Sequence, residues 1–171
     1  MILIRIAKYL GFLLVGAVVL SACSYSFTGA SLPAHIKTIN IQPFNDKSGS
    51  GEPYLSDDIT NQLITLFVDD GNLTITDADK ADSKLSGTIT QFTDRAETIT
   101  GENITARKIT IRVKAVYMDL VKRKKIFEKT FTAFSNYNNS SSDITDARNA
   151  AIKEALDQIA EDILIGVIAQ W

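Results

Sequence analysis

The sequence predicts an α+β fold, a two-layer α/β sandwich in which a mixed sheet of four to five strands carries two helices on one face, in the order β-α-β-β-β-β-α. Two segments, one with Ile59, Leu63, Leu66 and Phe67 and one running from Ile144 to Val167, repeat apolar residues at helical spacing along a single stripe. A third, Ile109-x-Ile111-x-Val113-x-Ala115-x-Tyr117, alternates with Lys108, Thr110, Arg112 and Lys114, the period of a strand with one buried face. Elements with one apolar face each must bury those faces against one another, and layering is the stable way to do so.

The first 22 residues stand apart. Arg5 and Lys8 are their only charges, Leu10–Leu20 is an uncharged run, and Leu20-Ser21-Ala22 places small residues ahead of Cys23. This is the layout of a secretory signal, and the run is shorter than the about 20 apolar residues a membrane-spanning helix needs. Leu-Ser-Ala-Cys resembles the bacterial lipobox, in which the cysteine takes a diacylglycerol, the peptide is cut before it, and the new amine is acylated. Cys23 is thus expected to be the lipidated residue, and no cofactor is expected beyond those covalent acyl chains. Ser24 follows in place of the Asp that many bacteria read as an inner-membrane retention signal, which favours the outer membrane. Removing 22 of 171 residues, with the two cations Arg5 and Lys8, leaves 149 residues with 16 basic against 20 acidic side chains, a formal net charge of −4. The expected organisation is a signal peptide at 1–22, a lipidated tether at 23–35, and one domain at 36–171.

Within that domain, Ile36, Ile39 and Ile41 indicate a first strand ending at Pro43. The Gly-, Ser- and Asp-rich stretch from Asn45 to Pro53 reads as a flexible loop. Ser56 is the expected N-cap of the first helix, Asp57 and Asp58 suit its positive end, and Gly71 is its stop. Leu73 and Ile75 make a short strand. Asp77, Asp79 and Asp82 lack the central Gly and distal Glu of a calcium loop and read as a solvated turn.

Two long strands, Lys84–Thr100 and Ile104–Val121, follow around Gly101-Glu102-Asn103. Pairing Thr100 with Ile104 sets Ile89 opposite Ala115, Leu85 opposite Asp119 and Glu97 opposite Arg107, and makes the odd-numbered face of the second strand the core. Lys122-Arg123-Lys124-Lys125 forms a basic turn into a last strand, Ile126–Ser135. Phe127 and Phe131 alternate against Ile126 and Phe134 there, so with Val116, Met118 and Leu120 an apolar patch is expected on the sheet face away from the helices. Asn136–Ser142 reads as a turn, with Asp143 capping the final helix.

No catalytic arrangement is legible. His35 is the lone histidine, with no Cys, Asp or Glu nearby in sequence to make a metal set, no serine has a Gly-x-Ser-x-Gly setting, and no Gly-rich phosphate loop precedes a helix. The carboxylate pairs Asp57/Asp58 and Asp69/Asp70 fall on polar helix surfaces where burial does not raise their pKa. Nucleic acid is a poor partner for an exported acidic chain. An assembly or binding role remains, and no enzyme is expected.

Cys23-Ser24-Tyr25-Ser26-Phe27-Thr28-Gly29, Ile36-Lys37-Thr38-Ile39-Asn40-Ile41, the Ile109–Val116 strand, Phe131-Thr132-Ala133-Phe134-Ser135 and the Ala169-Gln170-Trp171 end together resemble the LPS-assembly lipoproteins called LptE, in the form found in Bacteroidota. The resemblance implies an outer-membrane, periplasm-facing lipoprotein that plugs and helps assemble the LptD β-barrel, with lipopolysaccharide as a further partner. From the residues alone, Lys108, Arg112 and Lys114 share one strand face, Arg112 and Lys114 about 7 Å apart, so they are expected to engage lipid A phosphates. An alternative rests on Ile39-Asn40-Ile41-Gln42-Pro43-Phe44-Asn45-Asp46-Lys47-Ser48 followed by Tyr54-Leu55-Ser56-Asp57 and the Ile59–Val68 helix. That unit looks like the first unit of TolB amino-terminal and CsgG-like periplasmic proteins, implying a secretion or efflux accessory.

Overall fold

The computed structural model describes residues 32–100, 103–139 and 143–169; Cys23, the signal at 1–22 and Trp171 lie outside them. Six strands and two helices follow in the order β1 (Thr38–Ile41), β2 (Asn45–Asp46), α1 (Leu55–Asp70), β3 (Thr74–Ile75), β4 (Ser83–Thr100), β5 (Asn103–Asp119), β6 (Lys124–Asn138) and α2 (Ile144–Ile168). The sheet runs β3-β1-β4-β5-β6, parallel between β3, β1 and β4 and antiparallel from β4 to β6. This is the expected α+β fold with a mixed sheet, one strand larger than the sequence suggested.

The additional strand is β2. Pro43 ends the first strand because it has no N–H to donate, yet the chain rejoins the same neighbour, β4, pairing Asn45 and Asp46 with Thr88 and Ile89. The stretch beginning at Asn45 therefore starts as sheet before it becomes a loop. Between the two pieces Phe44 points into the core, 1% exposed, and lies where a side chain on Gly87 would be. A Cβ there would sit within 2.6 Å of three carbons of the Phe44 ring. Gly87 is thus the gap in β4 that lets the ring in.

Ser56 does not cap α1. The N-cap is Tyr54, without a side-chain bond, and the Ser56 hydroxyl instead donates to the Phe44 carbonyl, while the Phe44 N–H donates to Thr60 Oγ1 at 3.0 Å. A demand from the turn between β1 and β2 outcompetes the local capping geometry. At the other end Gly71 closes the helix in the left-handed region, φ 69°, as expected. Asp143 caps α2, its carboxylate accepting from the Asp146 N–H at 3.1 Å.

The odd-numbered positions Ile109, Ile111, Val113, Ala115 and Tyr117 are fully buried, as the alternation requires, and share one cluster with Phe127, Phe131 and the apolar stripes of both helices. The register differs from expectation. From Ser83 to Ile89 the pairs are Leu85 with Tyr117, Gly87 with Ala115 and Ile89 with Val113; beyond it they are Gln91 with Arg112, Phe92 with Ile111 and Asp94 with Ile109. Thr90 is the extra residue of a β-bulge, its hydroxyl donating to the Arg112 carbonyl at 3.2 Å. One added residue exchanges the faces of those that follow, here as far as the next shift between Ala96 and Thr98, so Phe92 and Asp94, even-numbered, join the odd-numbered side of β5. Counting back from a tight turn at Gly101 misses this because it presumes a regular ladder.

β6 is longer than expected and cleaner. Lys124 to Asn138 pairs with β5, so Asn136-Tyr137-Asn138 is strand rather than turn, and Phe131, Ala133, Ser135 and Tyr137 are buried in strict alternation, with Phe127 buried ahead of an exposed Lys129. On the opposite face Phe134 is 55% exposed, while Ile126, Val116, Met118 and Leu120 are half-buried. The expected apolar patch therefore reduces to one open aromatic ring and a partly covered apolar corner.

Candidate functional site: a basic sheet face

The even-numbered face of β5 and its neighbours lies outside the buried cluster and bears a concentration of cations. Strand pairing puts Lys84, Arg95, Lys108, Arg112, Lys114 and Lys125 on that face, against the carboxylates Glu97 and Glu128. The two helices carry the opposite imbalance: Asp57, Asp58, Asp69 and Asp70 on α1, and Asp146, Glu154, Asp157, Glu161 and Asp162 against only Arg148 and Lys153 on α2. A formally acidic protein is thus split into an acidic helical side and a cation-rich sheet side, an arrangement that concentrates anions at the sheet.

The three residues singled out from sequence lie together there but are not equivalent. Lys108 donates to Glu97 at 3.1 Å and lies 4.5 Å from the Phe134 ring centre, a cation–π approach. Lys114 and Lys125 both engage Glu128, and hydrogen bonds from these two ammonium groups bring that carboxyl down to about 2. Arg112 is exposed and has no carboxylate partner among the described residues. Its guanidinium, with donors in a planar fork, is the group on this face best suited to bidentate contact with a phosphate.

Both ends of the sheet are tied by buried polar contacts that sequence reasoning missed. At one end the bulge turns Asp94 inward, where it accepts from Arg107 Nε at 2.8 Å, Tyr137 Oη at 2.9 Å and Arg148 Nε at 3.1 Å. Burial raises its pKa, but the three donors outweigh burial and hold the carboxyl below 3.8. Arg148 also reaches Glu52 at 2.5 Å, so β4, β5, β6, α2 and the loop before α1 meet in one network. Arg107 was expected to face Glu97; the bulge hands it to Asp94 and leaves Glu97 to Lys108. The only earlier signal is an Asp two positions past a core-like Phe92.

At the other end His35, unremarkable in sequence, bonds Asp119 at 2.7 Å, and Asp119, 3% exposed, also accepts from the Lys122 N–H at 2.8 Å. Burial raises the Asp119 carboxyl, and these donors bring it below its ordinary value. Asp82, expected in a solvated turn, accepts from Lys37 N–H at 3.0 Å, Thr38 N–H at 3.1 Å and the Thr38 hydroxyl at 2.9 Å, fastening the start of β1. Tyr117 is fully buried, and burial pushes its hydroxyl up to about 12. Among the described residues no cluster of His, Cys, Asp or Glu has metal-binding geometry, and no helix is long and apolar enough to cross a membrane. A cleft of about 500 Å³ separates α1 from α2, but Asp58, Asp157 and Glu52 on its walls make it a poor receptor for anions.

A family model described as LptE, lipopolysaccharide-assembly, matches residues 36–165. No curated protein sequence matches the chain. Among solved structures, protein XCC0632 from Xanthomonas campestris is similar with 17% identity and a TM-score of 0.61, covering 81% of this chain and 89% of that one. The rare lipoprotein B from Shewanella oneidensis is 13% identical with a TM-score of 0.53, covering 74% and 92%. The PelC dodecamer from Paraburkholderia phytofirmans is also 13% identical, with a TM-score of 0.55, covering 83% and 96%. At these identities the likeness is one of fold. The family match runs through β1, the Pro43-Phe44-Asn45 turn and α1, the unit on which the similarity to TolB and CsgG-like proteins rested, and it takes in the basic sheet face. The chain belongs to the LptE family, and its role is in lipopolysaccharide assembly.

Proposed function

We propose that this protein is an outer-membrane lipoprotein, anchored through acyl chains on Cys23 and facing the periplasm, that helps assemble and plugs the LptD β-barrel and binds lipopolysaccharide on its basic sheet face. In this reading Arg112 and Lys114 engage lipid A phosphates, Lys108 completes the cationic row, and Phe134 offers an apolar neighbour to the acyl chains. The observation that carries it is the charge separation: a family whose work is lipopolysaccharide assembly handles a ligand that is both phosphorylated and acylated, and the cation-rich face with an open ring offers both chemistries.

Lipopolysaccharide binding by purified protein tests the ligand. One exposed charge-assisted contact to phosphate is worth about 1 kcal/mol, so Arg112→Ala is expected to weaken binding about fivefold and the pair Arg112→Ala, Lys114→Ala more than tenfold. Unchanged binding in the pair removes this face as the site. Depleting the protein while following LptD maturation and surface lipopolysaccharide tests the wider role; if both stay normal, the LptD reading fails.

A further inference from the structure

We propose that the turn joining β5 to β6, Val121-Lys122-Arg123-Lys124-Lys125, is a second contact surface that docks the folded body on an anionic phospholipid bilayer. The inference goes beyond the lipopolysaccharide site and rests on the Cys23 anchor only for placing the bilayer. All five residues are exposed, Val121 to 58%, so an apolar side chain is followed by four consecutive cations where the turn enters β6 at one corner of the fold. Arg123 sits in the left-handed region at φ 51°, the only non-glycine residue with positive φ among the described residues. Asn or Gly would occupy that position with less strain, and a cationic residue stands there instead.

The route of the chain fastens this corner to the segment that leads toward the anchor. His35 Nε2 and the Lys122 N–H both bond the buried Asp119 carboxylate, at 2.7 and 2.8 Å, so the segment leading back to Cys23 is fastened to the root of the basic turn. Only eleven residues lie between Cys23 and His35, a path that spans at most about 40 Å. Little nearby carboxylate competes: Asp119 is committed to His35 and the turn, Glu128 to Lys114 and Lys125, and Asp82, whose carbonyl accepts from the Leu120 N–H, to Lys37 and Thr38. The exposed Asp77 and Asp79 lie along β1, beyond the start of β4, where Thr76 N–H bonds the Ile39 carbonyl. A lipid headgroup surface therefore meets Lys122, Arg123 and Lys124 without an ion pair of their own among the described residues, Lys122 feeling only the field of the buried Asp119, with the exposed Val121 preceding them in the turn.

Residues 24–171 contain the entire buried cluster, from Ile36 to Val167, so a chain beginning at Ser24 keeps its core without the anchor. In flotation with vesicles of roughly three parts phosphatidylcholine to one part phosphatidylglycerol it is expected to bind, to release at high salt, and to ignore pure phosphatidylcholine. Each cation near such a surface contributes about fivefold in partitioning, so Lys122→Gln, Arg123→Asn, Lys124→Gln together are expected to lower it about a hundredfold. The equal charge change Lys108→Gln, Arg112→Gln, Lys114→Gln is expected to leave it within a few-fold. Without any mutation, anionic but not neutral vesicles are expected to shield Lys122 and Lys124 of the same chain from acetylation. No binding to anionic vesicles, an equal loss in the sheet-face variant, or unshielded Lys122 and Lys124 overturns the proposal. Palmitate labelling of Cys23 reports the anchor separately, so failure of one reading leaves the other standing.

Discussion

Replacing Gly87 by Ala probes the contact on which the turn between β1 and β2 depends. The added methyl would lie within 2.6 Å of three Phe44 ring carbons, against an optimum of about 3.5 to 4.0 Å between carbon atoms, so the ring must retreat by about 1 Å or more. It has little room, being 1% exposed and held at its own backbone by Thr60 and Ser56 on α1. Overpacking of this kind costs about 1 to 3 kcal/mol, and the backbone advantage of Ala over Gly in a strand returns roughly 0.5 to 1. We expect a net loss of about 1 kcal/mol in urea denaturation and, at roughly 2 to 4 °C per kcal/mol for a domain of this size, a fall in Tm of about 2 to 4 °C. Phe44→Leu alone is expected to cost about 1 to 2 kcal/mol, but in the Gly87→Ala background it relieves the clash, so the double variant should be more stable than additivity predicts by at least about 1 kcal/mol. A Gly87→Ala protein within about 0.5 kcal/mol of wild type, or strict additivity with Phe44→Leu, refutes the close-approach argument.

Asp94→Asn is expected to cost about 2 kcal/mol, because Arg107 and Arg148 lose their shared counter-charge. Since the folded carboxyl titrates below its ordinary value, the advantage of wild type is complete above about pH 5 and is lost as pH falls through the folded pKa; equal differences in Tm at neutral and strongly acid pH would contradict this. Glu128→Gln frees Lys114 and Lys125 from their shared carboxylate and is expected to tighten lipopolysaccharide binding about two- to fivefold, whereas weaker binding would show that Glu128 orders the site rather than competes with the ligand. Labelling cells with palmitate is expected to mark the wild-type protein and not Cys23→Ala, and label retained in the variant would place the acyl chains elsewhere.

The residues that sequence placed correctly are those whose surroundings are periodic or terminal. Ile109 to Tyr117 face the core because alternation alone assigns them, the α2 stripe is buried for the same reason at helical spacing, and Gly71 and Asp143 terminate helices through their own backbone or nearest neighbours. The basic row Lys108, Arg112 and Lys114 is the complement of that alternation, so the face was legible, but the commitment of Lys108 to Glu97 and of Lys114 to Glu128 was not. Ser56 illustrates the limit from the other side: its type and place suit an N-cap, and a carbonyl twelve positions earlier claims it.

By itself, then, the sequence determined the fold class, the buried face of each long element, the cationic row and the resemblance to LptE that the family match bears out, because these depend on residue type and local period. Only the tertiary structure decided the register of β4 on β5, the short strand β2, the union of Asp94 with Arg107, Tyr137 and Arg148, and the fastening of His35 to Asp119. The physical reason is separation along the chain. Asp94 and Arg148 are 54 positions apart and His35 and Asp119 are 84, and for the first pair an unpaired residue, Thr90, sets that Asp94 faces Arg148. A bulge leaves no periodic trace, yet it exchanges the two faces of the residues that follow it, as far as the next shift.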